Sequence, residues 1–226
     1  EQEISQILEE LKEEGAEVLI VSEAYGVDDP SNELYVMQKS DIPATAGHEL
    51  TGIYGLEIRT LTAAINASIL LKAIGTAKYV EKAVRQQEIS APLTIMKGDG
   101  GLTDMNTFKT KPILTVLSGP AASVAGALLH LRILNGIFIE VGGTSTNICV
   151  IKNGKPEVKY VTIMEHPTCI KSLDVRVVGI AGGLTCVEVD NALDGVLLAI
   201  GLDQHRMGRE VEARGREHHV VAHFAR

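Results

Sequence analysis

The sequence predicts an α/β fold with a mixed sheet, because a helix–strand alternation in its first part is followed by a β-meander. In the first part, the apolar residues of "ISQILEEL" repeat at helical spacing, and "EVLIVS" then forms a short apolar run typical of a buried strand. The meander begins at Ile137 with "IFIEV", "NICVI" and "EVKYVTIM". Asn153-Gly154 joins the last two runs and favours a type I′ hairpin, whose two central residues need positive φ.

The elements between these two parts follow from periodicity and from turn residues. Asp29-Pro30 resembles an N-cap followed by proline, and it predicts a short helix through Met37. The longest helical pattern runs from Glu57 to about Gln87, with a break or kink expected at Gly75. "PLTIMKG" is typical of a strand, and "ILTVLSG" of a second extended run. A helix is predicted next, with Ser118 near its N-cap and proline in its first turn.

Composition excludes several classes of function. The chain has 226 residues, is 45% apolar and 22% charged, and carries a net charge of -8, which argues against a nucleic-acid partner. We expect no membrane partner, because no apolar stretch in the sequence reaches the roughly 18 residues of a membrane span. The three cysteines do not form a CxxC pair, so reduced thiols in a cytoplasmic protein are expected.

The same patterns divide the chain. We expect an α/β core over residues 1–203, made of a helix-rich part (1–110) and a β-meander part (111–203), followed by an irregular charged tail (204–226). The tail contains "HHVVAH", whose histidines have ligand spacing, but a solvated tail is the favoured interpretation for His218, His219 and His223. Because the chain begins in the middle of an α/β pattern, we expect it to be part of a longer polypeptide.

The loop between the first two strands of the meander is the main candidate site. Gly142-Gly143-Thr144-Ser145-Thr146 could be an ordinary tight turn. It could also bind an anion, because glycines allow close approach of a ligand, and successive N–H groups and hydroxyls can converge on phosphate oxygens. Neither the Rossmann spacing GxGxxG nor the Walker A pattern is present.

Three further segments with small residues lie at predicted strand ends, where α/β sheets bind ligands. Ser118-Gly119 opens a predicted helix, whose N-terminus favours negative charge. Asp99 lies in "GDGG", where it could bind a metal ion or cap the turn. Gly182-Gly183 ends a later strand. Together these segments favour the phosphate-binding interpretation over the turn.

Three segments, in this order and spacing, resemble the hydantoinase A/oxoprolinase family: "MKGDGGLTD", "KPILTVLSGPAASVAGA" and "IEVGGTSTNICVIKNGKP". Similar segments occur in the β-type subunits of acetone and acetophenone carboxylases. The resemblance covers roughly Glu17 to Gly183. It implies an actin-like ATPase fold with ribonuclease H-like halves, of which this chain would be a partial copy. It also implies an ATP-dependent hydrolase of the N-methylhydantoinase/5-oxoprolinase type, which acts on a small cyclic amide or ketone with a hydantoinase B-type subunit.

The resemblance also implies roles for individual residues. The strand–GGTST–strand hairpin is the family's phosphate-binding loop, and Gly182 and Gly183 would lie toward the adenosine. Mg²⁺ would accompany the ATP, with Glu140 orienting a water bound to the metal. The expected phosphate contacts are Gly142, Gly143, Thr144, Ser145 and Thr146, with Ser118 and Gly119 beside them.

Two departures leave a second function open. The family hairpin commonly reads Asp-x-Gly-Gly-Thr-x-Thr-Asp, whereas Glu140 and Asn147 stand at the two acidic positions here. Asn147 lacks the negative charge that a general base or metal ligand needs, and the family's other GGTxTD-type loop has no copy in this chain. A non-catalytic nucleotide-binding or assembly module is therefore the alternative. His48-Glu49 matches a stretch that is frequent in the family, and no role is assigned to it.

Overall fold

The chain divides into two compact units in the computed structural model, which describes residues 2–143 and 145–179 and the backbone of residues 197–202 and 221–224. The first unit comprises Glu1–Lys97, Gly101–Val116 and Tyr160–Lys171. The second comprises Gly98–Gly100, Leu117–Lys159 and Ser172–Arg226. The segment Gly101–Val116 belongs to the first unit, where Ile113 packs into a hydrophobic cluster.

The described part of the chain contains six α-helices and one 3-10 helix. The longest of them, α4, spans 31 residues. In chain order they are α1 (Gln2–Glu13), α2 (Ser31–Lys39), α3 (Gly47–Leu50), α4 (Leu56–Gln86), α5 (Met105–Thr110), the 3-10 helix (Pro112–Thr115) and α6 (Ser118–Leu131).

Twelve strands are described, and several of them are very short. They are β1 (Leu19–Val21), β2 (Ala44–Ala46), β3 (Thr94–Met96), β4 (Leu102–Asp104), β5 (Gly136–Val141), β6 (Thr146–Lys152), β7 (Lys155–Pro156), β8 (Val158–Ile163), β9 (His166–Leu173), β10 (Val175–Val178), β11 (Leu197–Leu202) and β12 (Val221–Phe224). The last of them places a strand within the tail that was expected to be irregular.

Helix α4 is the central element of the first unit. Its buried face consists largely of small residues, and Ala63 packs with Leu50 and Ile113 in one hydrophobic cluster. Asn66 is fully buried on the same helix, where its Nδ2 donates to Thr45 Oγ1 at 3.0 Å. By length and composition alone α4 could cross a membrane, but its buried polar residues bond within this unit, as expected of a core helix.

The second unit is built on a mixed sheet, which confirms the expected sheet type. The strand order is β10-β6-β5-β11-β12, with β7 paired to β6. β6 is antiparallel to both β5 and β10, whereas β11 runs parallel to both β5 and β12. Helix α6 packs Ala121 and Val124 against Phe138, Cys149 and other residues of one sheet face.

The turn after β6 agrees with the sequence. Asn153 and Gly154 have φ values of 52° and 75°, so both central residues are left-handed, as a type I′ turn requires. The Gly154 N–H donates to the Leu134 carbonyl at 2.6 Å, and the Asn153 N–H donates to Asn135 Oδ1 at 3.0 Å. These bonds fix the position of the hairpin that carries the candidate site.

Two local predictions were wrong. The extended run expected at "ILTVLSG" is instead the 3-10 helix Pro112–Thr115, a two-residue turn and the start of α6, because Pro112 begins a tight turn that Thr115 Oγ1 closes on the Pro112 carbonyl at 2.7 Å. Helix α4 also continues through Gly75 without the predicted break. Glycine lowers helix propensity by only about 1 kcal/mol, which the packing of a long helix outweighs.

Candidate functional site

The loop between β5 and β6 is a tight four-residue connection. The last strand pairs before it are Glu140 opposite Asn147 and Val141 opposite Thr146. The Gly142 N–H donates to the Ser145 carbonyl at 2.9 Å, which closes the loop. A Cβ at Gly142 would lie only 3.1 Å from that oxygen, so the close approach favours glycine. Thr144 lies outside the described residues.

The carboxylate of Glu140 is held at the base of this loop by two neutral donors. Ser123 Oγ donates to Oε1 at 2.9 Å, and Asn147 Nδ2 donates to Oε2 at 2.9 Å. All three residues are partly buried. Because neither donor is charged, the hydrogen bonds fix the orientation of the carboxylate and leave its negative charge for an external cation.

Asn147 has an unsatisfied acceptor beside that carboxylate. Its Oδ1 is buried and has no hydrogen-bond partner within the described residues. A buried carbonyl oxygen without a donor costs about 1–3 kcal/mol, so a bound water or cation at this position would be favourable. Carboxylate and amide oxygens are hard ligands of the kind that Mg²⁺ prefers.

The donor set fits a hydrated Mg²⁺ that is held mainly by phosphate. Among the described residues, no group of three or more His, Cys, Asp or Glu could hold a metal ion. Mg²⁺ commonly keeps several waters and uses only one or two carboxylates together with substrate phosphates. Glu140 and Asn147 Oδ1 would then contact the ion or its waters, and the water-mediated role of Glu140 stays a prediction.

Helix α6 directs its N-terminus toward the same end of β5. Ser123 bonds to Glu140, the penultimate residue of β5, whereas the loop after α6 leads to the other end of that strand at Gly136. Ser118 is the first residue of α6, about 7.5 Å along the axis from Ser123 at 1.5 Å per residue. The N–H groups and positive dipole end of a helix of this length favour an anion. Gly119 is exposed in this first turn.

The structure thus brings together only some of the predicted residues. Glu140, Gly142, Ser145, Thr146 and Asn147 share one hairpin. Asp99 is exposed in the turn between β3 and β4, where its metal-binding role stays a prediction. Gly182 and Gly183 lie outside the described residues, as do His218 and His219, and of His223 only the backbone in β12 is described.

Ser123 is the contact that sequence reasoning missed. It lies in the second turn of α6, and the sequence shows only a serine within an alanine-rich helix. Its role comes from tertiary packing, since it is 17 residues away from Glu140 along the chain. The one sequence feature that pointed to this contact was the presence of two serines, at positions 118 and 123, in the same helix. That feature does not by itself indicate a carboxylate that faces the helix.

No role was predicted for His48, which belongs to a cluster of polar residues in the first unit. It follows β2, and its Nδ1 lies 2.6 Å from Oε2 of the buried Glu33. Burial raises the pKa of Glu33, but the hydrogen bonds from the His48 side chain and backbone and from the Glu23 N–H outweigh it, so the pKa is below its ordinary value. This carboxylate is therefore ionised at neutral pH.

Comparison with known proteins agrees with the resemblance. A family model described as hydantoinase/oxoprolinase matches residues 59–201, more than half of the chain. An uncharacterised protein of Methanocaldococcus jannaschii is 23% identical over 225 residues, which covers 90% of this chain and 33% of that protein.

Two solved structures have a similar fold. An ATP-dependent caprolactamase from Pseudomonas jessenii gives a TM-score of 0.69 at 22% identity, covering 84% of this chain and 28% of that chain. The nucleotide-free structure of acetone carboxylase, which performs ATP-dependent acetone carboxylation, gives a TM-score of 0.67 at 20% identity, covering 80% of this chain and 27% of that chain. This chain therefore spans a third or less of the length of these relatives.

Proposed function

Because the chain belongs to the hydantoinase/oxoprolinase family, we propose that its Gly142–Thr146 loop binds the phosphates of ATP in an enzyme that hydrolyses a cyclic amide. The substrate class would be a hydantoin or 5-oxoproline, and a hydantoinase B-type subunit would complete the enzyme. The observation that carries this proposal is the oriented Glu140 carboxylate beside the unsatisfied Asn147 Oδ1, directly below a glycine loop.

The fold supports the same proposal. A helix packed on a sheet whose first strands are antiparallel and whose later strands are parallel is consistent with one ribonuclease H-like half of an actin-like ATPase. ATP-dependent proteins are among its structural neighbours, at identities that establish the fold alone. A nucleotide site at the β5–β6 hairpin would account both for this fold and for the ATP-dependent structural neighbours.

Different residues of the hairpin would bind the phosphates and position the cation that neutralises their charge. Backbone N–H groups of the loop, the Ser145 and Thr146 hydroxyls and the N-terminus of α6 would bind phosphate oxygens. Glu140 and Asn147 would position the waters of Mg²⁺. When bound, Mg²⁺–ATP supplies a phosphoryl group that activates the amide carbonyl toward water, and the chain's contribution is positioning and electrostatic stabilisation.

A non-catalytic nucleotide-binding or assembly module is the alternative, and Asn147 is the observation that favours it. Its neutral amide donates to Glu140 where a second carboxylate would stand, so Glu140 is the one acidic side chain of this pair. A hairpin of this kind could bind nucleotide and lack the second charge needed for hydrolysis. The two functions share ATP binding and differ in turnover.

The experiment compares Glu140→Gln with Glu157→Gln in ATP binding and ATP hydrolysis. Glu157 is a matched control, since it is an exposed carboxylate of the same unit that pairs with Lys152. Glu140→Gln is expected to weaken binding of Mg²⁺–ATP about tenfold or more, because it removes a charge next to the metal site. Equal affinities of both variants would contradict the proposed site. ATP binding without hydrolysis by the chain and its B-type partner would favour the alternative module.

A further inference from the structure

Only two asparagines of the sequence precede a glycine, and the fold brings them together in the second unit. Asn135-Gly136 lies at the start of β5, and Asn153-Gly154 forms the turn between β6 and β7. The Asn153 N–H donates to Asn135 Oδ1 at 3.0 Å, which joins the two pairs. An asparagine before glycine is open to attack by its own main chain, because glycine has no Cβ to obstruct the approach.

Such an attack changes the charge of the chain. The main-chain nitrogen of the glycine bonds to Cγ of the asparagine, and the Cγ–Nδ2 bond breaks. The side-chain nitrogen leaves as ammonia with the proton that the glycine nitrogen loses, and a succinimide remains. Water then opens the succinimide at one of its two carbonyls, which gives aspartate or isoaspartate. This reactivity is one reason why asparagine is thermolabile in proteins.

At Asn153 the side chain is free to react, whereas the attacking nitrogen is held. Asn153 is exposed, and within the part of the chain that the structure describes no hydrogen bond holds its side-chain amide. The Gly154 N–H, by contrast, donates to the Leu134 carbonyl at 2.6 Å. The nitrogen must lose this proton before it can attack Cγ, so the hydrogen bond has to break first. The reaction therefore requires local opening of the turn.

The other pair, Asn135-Gly136, is held at both of its residues. Gly136 is buried and lies opposite Ile151 in the β5–β6 pair, so strand pairing fixes its backbone. Asn135 Oδ1 is bound by the Asn153 N–H, which holds this side chain against the turn. Asn153 is therefore the asparagine whose side chain can react, and Asn135 is the one that helps to keep the turn closed.

We propose that Asn153 is a site of spontaneous deamidation and that Asn135 controls its rate by holding the β6–β7 turn closed. Isoaspartate would insert one carbon into the main chain of a two-residue turn, so β6 and β7 could not keep Lys152 opposite Lys155. Either product also adds a carboxylate to a chain whose net charge is already -8. Conversion to isoaspartate therefore removes the turn that ends β6.

Incubation of the full chain in mildly alkaline buffer, followed by peptide mapping with mass spectrometry, measures this conversion without any nucleotide. Asn153 should convert at least about tenfold more slowly in the folded chain than in the same chain unfolded in guanidinium chloride, which corresponds to an opening free energy of about 1.4 kcal/mol or more. Asn106, an exposed asparagine followed by threonine, is the internal control and should convert far more slowly than Asn153 in the unfolded chain. Equal rates for Asn153 in the folded and unfolded chains would overturn the proposal. Aspartate without isoaspartate would also overturn it, because hydrolysis that bypasses the succinimide gives aspartate alone.

Two substitutions at position 135 test the contact that closes the turn. Asn135→Ala removes the acceptor of the Asn153 N–H and should speed conversion of Asn153 in the folded chain by roughly two- to tenfold. Asn135→Asp keeps an oxygen acceptor at the same place and should leave the rate close to that of the wild type. Equal rates in the two variants would overturn the role of Asn135. If Asn135→Ala does not fold, hydrogen exchange of the wild-type Gly154 N–H decides, since exchange as fast as in the unfolded chain would overturn the proposal.

Discussion

Glu140 and Asn147 lie directly opposite each other in the β5–β6 pair, and the Asn147 amide donates to the Glu140 carboxylate at 2.9 Å. The pair closes the base of the glycine loop, with the second oxygen of Glu140 bonded to Ser123. An acidic residue at position 147 would place two carboxylates in contact, and a cation or a shared proton would be needed to hold them there. The identity of this one residue therefore determines whether the hairpin needs a metal ion for its own stability.

Asn147→Asp should make the stability of the protein depend on Mg²⁺. The variant loses the Asn147–Glu140 hydrogen bond and gains a like-charge contact, so without Mg²⁺ the free energy of unfolding should fall by about 1–3 kcal/mol. Urea unfolding in EDTA and in Mg²⁺ measures this, with Asn106→Asp on the exposed surface of α5 as the control. If Mg²⁺ stabilises Asn147→Asp no more than the wild type, the pair does not form a cation site.

Ser123→Ala should weaken binding of Mg²⁺–ATP without unfolding the protein. The change removes one of the two donors that orient Glu140, which corresponds to about 0.5–1.5 kcal/mol, or roughly two- to tenfold in affinity. Calorimetric titration with ATP measures the effect. Ala122→Ser alters the exposed neighbouring position of α6 and should leave the affinity unchanged. An unchanged affinity in Ser123→Ala would show that the orientation of Glu140 by Ser123 does not contribute to nucleotide binding.

Glu33→Gln should destabilise the protein at neutral pH and less so in acid. The pKa of Glu33 is lowered from 4.5, because hydrogen bonds to the carboxylate outweigh its burial. A lowered carboxyl pKa stabilises the fold above the pKa of the unfolded state, and this contribution disappears as pH falls through the folded-state pKa. The free energy of unfolding of the wild type should therefore exceed that of Glu33→Gln by about 1–3 kcal/mol near pH 7.

Unfolding of both proteins by urea between pH 7 and pH 3 measures this difference. It should shrink as the pH falls below 4.5, the ordinary pKa of a glutamate. Glu14→Gln at an exposed position should show no comparable change. A difference between wild type and Glu33→Gln that stays constant over this range would mean that the charge of Glu33 contributes nothing and that only the shape of the side chain matters.

Alanine at two glycines should have opposite effects on stability. Gly26→Ala would place a Cβ 2.4 Å from a carboxylate that three N–H groups hold in place, so we expect a loss of about 1–3 kcal/mol. Gly75→Ala adds a Cβ that meets nothing within 4 Å in the interior of α4. It should stabilise by about 0.5–1 kcal/mol, since alanine is the better helix former. Thermal unfolding compares the two, and a neutral Gly26→Ala would show that Glu33 can move freely.

The sequence predicted the parts of the molecule that depend on local chemistry. Asn153-Gly154 has the turn that its residue types require, the strands that flank the glycine loop form a hairpin, and α6 begins at Ser118. The 3-10 helix at Pro112 was missed, because apolar β-branched residues suggested a strand while Ile113 is buried through tertiary packing. Local patterns do not distinguish these two outcomes.

The contacts of the candidate site and of the buried polar residues in the first unit depend on residues that are distant in the chain. Ser123 and Glu140 are 17 positions apart, Glu33 and His48 are 15 apart, and Arg59 reaches carbonyls 35 and 36 residues away. No periodicity or turn signal encodes such pairs. From the sequence alone, each of these side chains is indistinguishable from a surface polar residue. Its contacts form only because tertiary packing brings it to the end of a strand.

The central claim is that the Gly142–Thr146 loop binds phosphate, and titration of the ¹⁵N-labelled chain with Mg²⁺–ATP tests it most directly. The backbone amide signals of Gly142, Gly143 and Ser145 should shift in a saturable way, together with those of Ser118 and Gly119 at the start of α6. Mg²⁺ with adenosine, which has no phosphate, should leave them in place. Saturable ATP binding whose shifts lie elsewhere, with these five signals unchanged, would contradict the account.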